Sequence, residues 1–151
     1  MRTVLGVWVL LAIGCVDSAP CSSCPKIEGT YAMTYKGLTV ESPDCATIPA
    51  PPGPAVITIT RSGAEVRATL NGRPGRGMLQ ESSDFSIAAA EEPDAGTDAG
   101  VQSYVLRGFF IPPTVRADGG EPGTISGKWV THAESAAKIC DAERPATGIK
   151  Q

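Results

Sequence analysis

Apolar and polar positions alternate with period two along much of this chain, the pattern of strands with one face buried and the other in water. In KIEGTYAMTYK, residues 26–36, Ile27, Tyr31, Met33 and Tyr35 share one face, while Glu28, Thr30 and Thr34 take the other. Residues 55–61 and 64–70 read the same way: Val66, Ala68 and Leu70 face in, and Glu65, Arg67 and Thr69 face out. Ser62-Gly63 joins these two strands as a hairpin. Asn71-Gly72 marks the next hairpin, because both residues tolerate positive φ. Shorter apolar stretches at 77–81 and 84–89, a strongly apolar strand at 103–111 and a last long strand at 124–130 extend the series. The Pro-rich stretch 41–54 is a loop that cannot run through a sheet interior. EEPDAGTDAG, 91–100, reads as a flexible loop, and 114–123 as a turn-rich connection.

After residue 130 the period changes. Thr131 stands three residues before Glu134 in a capping-box arrangement, and Ala133, Ala136, Ala137 and Cys140 follow helical spacing. This predicts a short helix near 132–142, closed by Pro145. Seven or eight antiparallel strands with one late C-terminal helix define an all-β class. The order fits an up-and-down meander closed into a barrel, or a related β-sandwich, as one domain over residues 26–151.

The N-terminus is different in kind. Residues 3–13 are eleven largely apolar residues behind Arg2, too short for a bilayer core about 30 Å thick but suited to the apolar region of an export signal. Ordinary cleavage after Ala19 is disfavoured, with Asp17 at −3 and Pro20 following the cut. AIGC, 12–15, resembles instead the lipobox of bacterial lipoproteins: an aliphatic residue, a small or branched one, Gly or Ala, then Cys. The resemblance implies removal of residues 1–14 as a signal peptide and acylation of Cys15, on both its sulfur and its new amine. Residues 15–25 then form the lipidated cysteine and a short tether. Several acyl chains, such as palmitate, anchor far more firmly than one. In this family Asp directly after the cysteine favours the inner membrane. Val16 stands there, so the resemblance implies a lipid-anchored protein of the bacterial outer membrane, facing the periplasm or the cell surface.

Lipidation of Cys15 leaves Cys21, Cys24, Cys45 and Cys140, an even number that reads as two disulfides in an exported chain, with three pairings open. If the last strand pairs with the first, the segment after 130 ends beside the start of that strand. Cys140 then reaches Cys24 more easily than Cys45, leaving Cys21 for Cys45.

Composition narrows the function classes. Hydrophobic content of 42% makes this a globular chain, and 5% aromatics argues against a large stacking platform for sugars or bases. Loss of Arg2 takes the net charge from −3 to −4, leaving no electrostatic footprint for nucleic acid. Arg61, Arg67, Arg73 and Arg76 fall in one stretch. Residues 77–106 then hold six acids and no Lys or Arg, so contact between the two segments is open.

A second resemblance lies in the domain itself. Gly29-Thr30-Tyr31 in the first strand, a long loop, a meander and a late helix resemble lipocalin-like proteins, whose first strand opens with Gly-x-Trp. Those families set an arginine near the barrel's end against that aromatic. Arg144 is the residue of this tail that matches, and the barrel mouth becomes the default pocket for a small hydrophobic ligand.

Few residues of the chain carry recognisable chemistry. His132 is the only histidine, and a Ser–His–acid triad would take Ser126 or Ser135 with it, yet no Gly-x-Ser-x-Gly elbow exists. Glu91 and Glu92 are adjacent and point oppositely on a strand, a poor pair for glycoside hydrolysis. Cys21-Ser-Ser-Cys24 lacks the helix N-terminus that would stabilise a reactive thiolate, and one Cys-x-x-Cys with two lone partners lacks zinc spacing. Asp94 and Asp98 do not complete a calcium loop. The expectation is a non-enzymatic envelope lipoprotein with no cofactor, metal or catalytic residue. It binds a small ligand or an envelope protein partner, or serves a structural role. An envelope hydrolase with an unrecognised site is the alternative.

Overall fold

A computed structural model describes residues 23–40, 45, 51–90, 101–115, 119–134 and 139–151. The described residues form nine strands: β1 (Gly29–Tyr35), β2 (Thr39–Val40), β3 (Val56–Ser62), β4 (Glu65–Leu70), β5 (Arg73–Leu79), β6 (Asp84–Ala90), β7 (Val101–Ile111), β8 (Thr124–Glu134) and β9 (Ile139–Lys150). Neighbours are antiparallel in the order β1-β3-β4-β5-β6-β7-β8-β9, and β9 returns to pair with β1. The result is a closed eight-stranded up-and-down barrel. The short β2 is an extra strand that continues past β1 along the same edge of β9, with Thr39 opposite Glu143 and Val40 opposite Ala142.

Period-two burial follows the sequence pattern closely. Tyr31, Ile57, Ile59, Val66, Leu70, Ile87, Leu106, Ile125 and Trp129 are buried inward-facing residues that fill the lumen. Small barrels close when some inward positions are vacated so that the sheet can coil sharply. Gly108 and Gly127 stand opposite each other on β7 and β8. A Cβ on Gly108 would strike the Ser126 carbonyl, and one on Gly127 the Arg107 carbonyl. Gly77 meets the Ser86 carbonyl of β6 in the same way.

The hairpin between β3 and β4 is offset from expectation by one residue. Ser62 pairs with Glu65, so Gly63-Ala64 is the loop, and Gly63 carries the positive φ of 62°. Asn71-Gly72 behaves as predicted, with φ of 49° and 80°.

The predicted helix at 132–142 is wrong. Residues 132–134 end β8, residues 139–142 begin β9, and His132 lies opposite Asp141 in the ladder. The helical spacing misled because Cys140, Ala142 and Ala146 also satisfy period two, and closure requires a strand between β8 and β1. Pro145, expected to stop a helix, sits inside β9. Its carbonyl accepts the Lys36 N–H at 2.9 Å, on the side where β1 has ended at Tyr35–Ala146 and β2 has yet to begin at Thr39–Glu143. Its missing N–H thus falls in a break of the ladder, where a proline is tolerated.

The predicted cysteine pairing is also corrected. Cys45 is bonded to Cys140, with Cα atoms 5.6 Å apart, which excludes both Cys24–Cys140 and Cys21–Cys45. The expectation took the strand at 124–130 as the last. The true last strand starts with residue 139 at the far end of the barrel, where the connection after β2 passes. Cys24 is disulfide-bonded as well. Cys15, Cys21 and the loop 91–100 lie outside the described residues.

Candidate functional site

The barrel mouth, the default pocket, lies at the end where β1 finishes and β8 runs toward Glu134. It is closed by aromatic side chains. Trp129 is fully buried, stacks on Tyr104 at 5.6 Å between centroids, and takes Tyr35 edge-on at 6.0 Å. Residues from the Pro-rich loop cover this cluster. The Tyr35 hydroxyl donates to the Pro54 carbonyl at 3.0 Å, and Gly53 lies so near that a Cβ would collide with the Tyr35 hydroxyl and the Trp129 ring. Burial pushes the Tyr35 phenol up to about 12.

Two arginines edge the cluster. The Arg73 guanidinium carbon is 5.9 Å from the Tyr104 ring centre, and Arg144 stands directly across from Trp129 on β9. The Tyr104 hydroxyl donates to Gln102 Oε1 at 3.1 Å. Among the described residues the Trp129 indole N–H has no partner. The expected pairing of Arg144 with Tyr31 does not occur, since Tyr31 lies across from Lys150, six residues along β9, or about 20 Å. The Gly-x-aromatic triplet beside Arg144 is Gly127-Lys128-Trp129.

The opposite end is sealed by the segment leading into β1. Ile27 is fully buried, and its carbonyl accepts the Tyr31 hydroxyl at 2.5 Å. Burial raises the Tyr31 phenol far above its usual range. Arg61 donates to Glu28 at 2.9 Å. Burial alone would raise the Glu28 carboxyl, but a backbone hydrogen bond and Arg61 together bring it below its ordinary value.

His132 faces outward on β8. Its Nδ1 lies 2.6 Å from Asp141 Oδ1 on β9, a partner that sequence reasoning missed because residue 141 was assigned to a helix. Ser103 of β7 is opposite His132 on the other side, so Ser103, His132 and Asp141 form a row across three strands. No hydrogen bond joins Ser103 to His132 among the described residues. Ser126 lies six residues along the same strand from His132, about 20 Å away, and Ser135 is outside the described residues. The β7–β8–β9 ladder is continuous through this row, so its backbone N–H groups are engaged in the sheet and unavailable to an oxyanion.

Also on the outer wall, a groove of about 400 Å³ runs between Met78 and Phe109, floored by Ser86 and Gly108 and edged by Arg107 and Lys128. Both cations donate to Glu143, Arg107 at 2.6 Å and Lys128 at 2.5 Å. The Lys128 bond, then Arg107, outweigh desolvation and hold the Glu143 carboxyl below its ordinary value. The arginine-rich stretch finds local partners: Arg61 bonds Glu28 and Arg67 bonds Glu65. Glu91 and Glu92 lie outside the described residues, and no cluster of three metal-ligating side chains occurs among the described ones. Comparison of the chain with protein-family models, curated proteins and solved structures found no match.

Proposed function

We propose that this is a lipid-anchored outer-membrane protein whose β-barrel is a non-catalytic interaction or structural module, working through its outer surface and not through its lumen. The observation that carries the second half is the packed interior. Trp129, Tyr31 and the surrounding aliphatic side chains occupy the space where a lipocalin-like carrier would hold its ligand, and loop residues close the mouth. The anchor rests on AIGC at 12–15 directly behind an eleven-residue apolar run. The partner on this reading is an envelope protein.

Two measurements test it. Mass spectrometry of the membrane-extracted protein should find an acylated N-terminal Cys15, and a soluble mature chain beginning elsewhere would refute the anchor. Titration with a fluorescent fatty acid should show no saturable binding. Stoichiometric uptake, lost when Trp129 is changed, would return the lumen as a ligand site.

The row Ser103–His132–Asp141 favours a second reading, an envelope hydrolase. The hydrogen bond between His132 and Asp141 supplies an oriented base, one part of nucleophilic catalysis. The purified protein should turn over neither ester, peptide, phosphoester nor peptidoglycan substrates. Turnover abolished by both Ser103→Ala and His132→Ala would establish the hydrolase.

A further inference from the structure

We propose that the barrel end at which the tether enters docks on the bilayer surface, with Val115 at its tip and Ile111, Ile149, Phe109 and Met78 around it. This rests on the lipid-anchored reading above and adds an orientation and a contact face to it. Among the described residues, five of the eight exposed large apolar side chains gather toward this one end. Val115 is 95% exposed in the connection between β7 and β8. Ile111, Thr124 and Ile149 form one outward row across β7, β8 and β9, and Phe109 heads the next row, with Asp84 and Ser126 on either side. Of the other three, Leu38 and Ile139 lie toward the far end, and Val56 sits between, continuing the row of Ile149 through Ala32. An apolar rim concentrated on one end of a small barrel is more than the scatter of single exposed side chains that any surface carries.

The position of the chain's N-terminal side identifies the occupant as lipid. Ser23, the first described residue, donates to Glu81 in the turn between β5 and β6, and Phe110 bonds Ser83 of that same turn. The tether therefore meets the barrel beside this apolar rim. From Cys15 to Ser23 there are eight residue steps, which reach at most about 28 Å even when fully extended. Strands of eleven residues, tilted by about 35–45° in a closed barrel, set its two ends about 25–30 Å apart, so the aromatic end reaches the membrane only with the tether stretched almost fully along the barrel wall. An acylated Cys15 thus holds the rim near the bilayer and the aromatic end away from it.

Charge at the rim is nearly balanced. Arg107 and Lys128 share Glu143, Arg61 is paired with Glu28, and Asp84 lies next to Phe109. Attachment through this face is accordingly hydrophobic and nearly indifferent to anionic lipid. A polybasic surface would behave oppositely.

The test uses the lipidated mature protein, reconstituted into vesicles of phosphatidylethanolamine with varied phosphatidylglycerol. Two variants, Val115→Trp and Ile139→Trp, each add one indole at an exposed position, against the constant background of buried Trp129. Both variants should float with vesicles. The indole at 115 should shift to the blue and be quenched at least twofold by lipids brominated near the headgroup, whereas that at 139 should be unaffected. The difference should persist across phosphatidylglycerol contents. Flotation without quenching at 115, or equal quenching at both positions, overturns the docking face and leaves the anchor intact. A blue shift that persists in detergent and grows with protein concentration identifies self-association instead and also overturns it. Absence of flotation refutes anchor and docking together.

Discussion

Replacing both Cys45 and Cys140 by alanine should cost the domain several kcal/mol, and the size of the loss follows from topology. The bond joins residues 95 positions apart, closing a loop that holds six complete strands and the first residues of β9. In the chain-entropy description, opening a loop of that length frees the unfolded ensemble by about 4.7 kcal/mol at 25 °C. The two cysteines are 6% and 3% exposed, so truncation to alanine adds only a small packing term. At this chain length roughly 4 °C of melting temperature accompany each kcal/mol, so the midpoint should fall by roughly 15–20 °C. The assay is urea unfolding followed by emission from Trp129, the sole tryptophan left once residues 1–14 are removed. Removal of the cross-link should also raise the slope m, because the freed unfolded chain exposes more surface. A loss below about 1 kcal/mol with m unchanged would refute the entropic reasoning. Non-reducing peptide mapping that linked Cys140 to any cysteine but Cys45 would refute its geometric premise.

Tyr31→Phe should cost about 1–2 kcal/mol by leaving the Ile27 carbonyl without its buried donor, read in the same urea titration. A neutral result would show that water reaches that carbonyl. Gly127→Ala should destabilise by about 1–3 kcal/mol or block folding, because its Cβ meets the β7 backbone, while Gly37→Ala, with open space around it, should be silent. Equal thermal midpoints for the two would remove the argument that vacated positions set the barrel's curvature. Glu143→Gln should be less stable than the parent at pH 7, since the folded carboxyl is held below its unfolded value near about 4.3. The stability contributed by that depressed value is fully present above the unfolded value and fades as pH falls through the folded one. The parent–variant gap should therefore narrow below about pH 4, and a pH-independent gap would assign the effect to shape alone.

Most of the strand architecture is legible without coordinates. One face of each strand must leave water, so the parity of apolar residues in 26–36 and 64–70 reports directly which side chains enter the lumen. Asn71-Gly72 marks its turn because positive φ is a property of the residues themselves. The proposed export signal and the resemblance to a lipobox likewise rest on order along the chain alone. What it could not show is whatever depends on partners distant in sequence. Residues 139–150 are a strand because β8 and β1 leave a gap that only a strand can close, overriding an alanine spacing that suits a helix. Pro145 is tolerated by a break in the neighbouring ladder, and Cys45 meets Cys140 because the connection beyond β2 passes the start of β9. The row of Ser103, His132 and Asp141 and the gathering of Val115 with Ile149 arise from registers between strands, set by closure of the barrel.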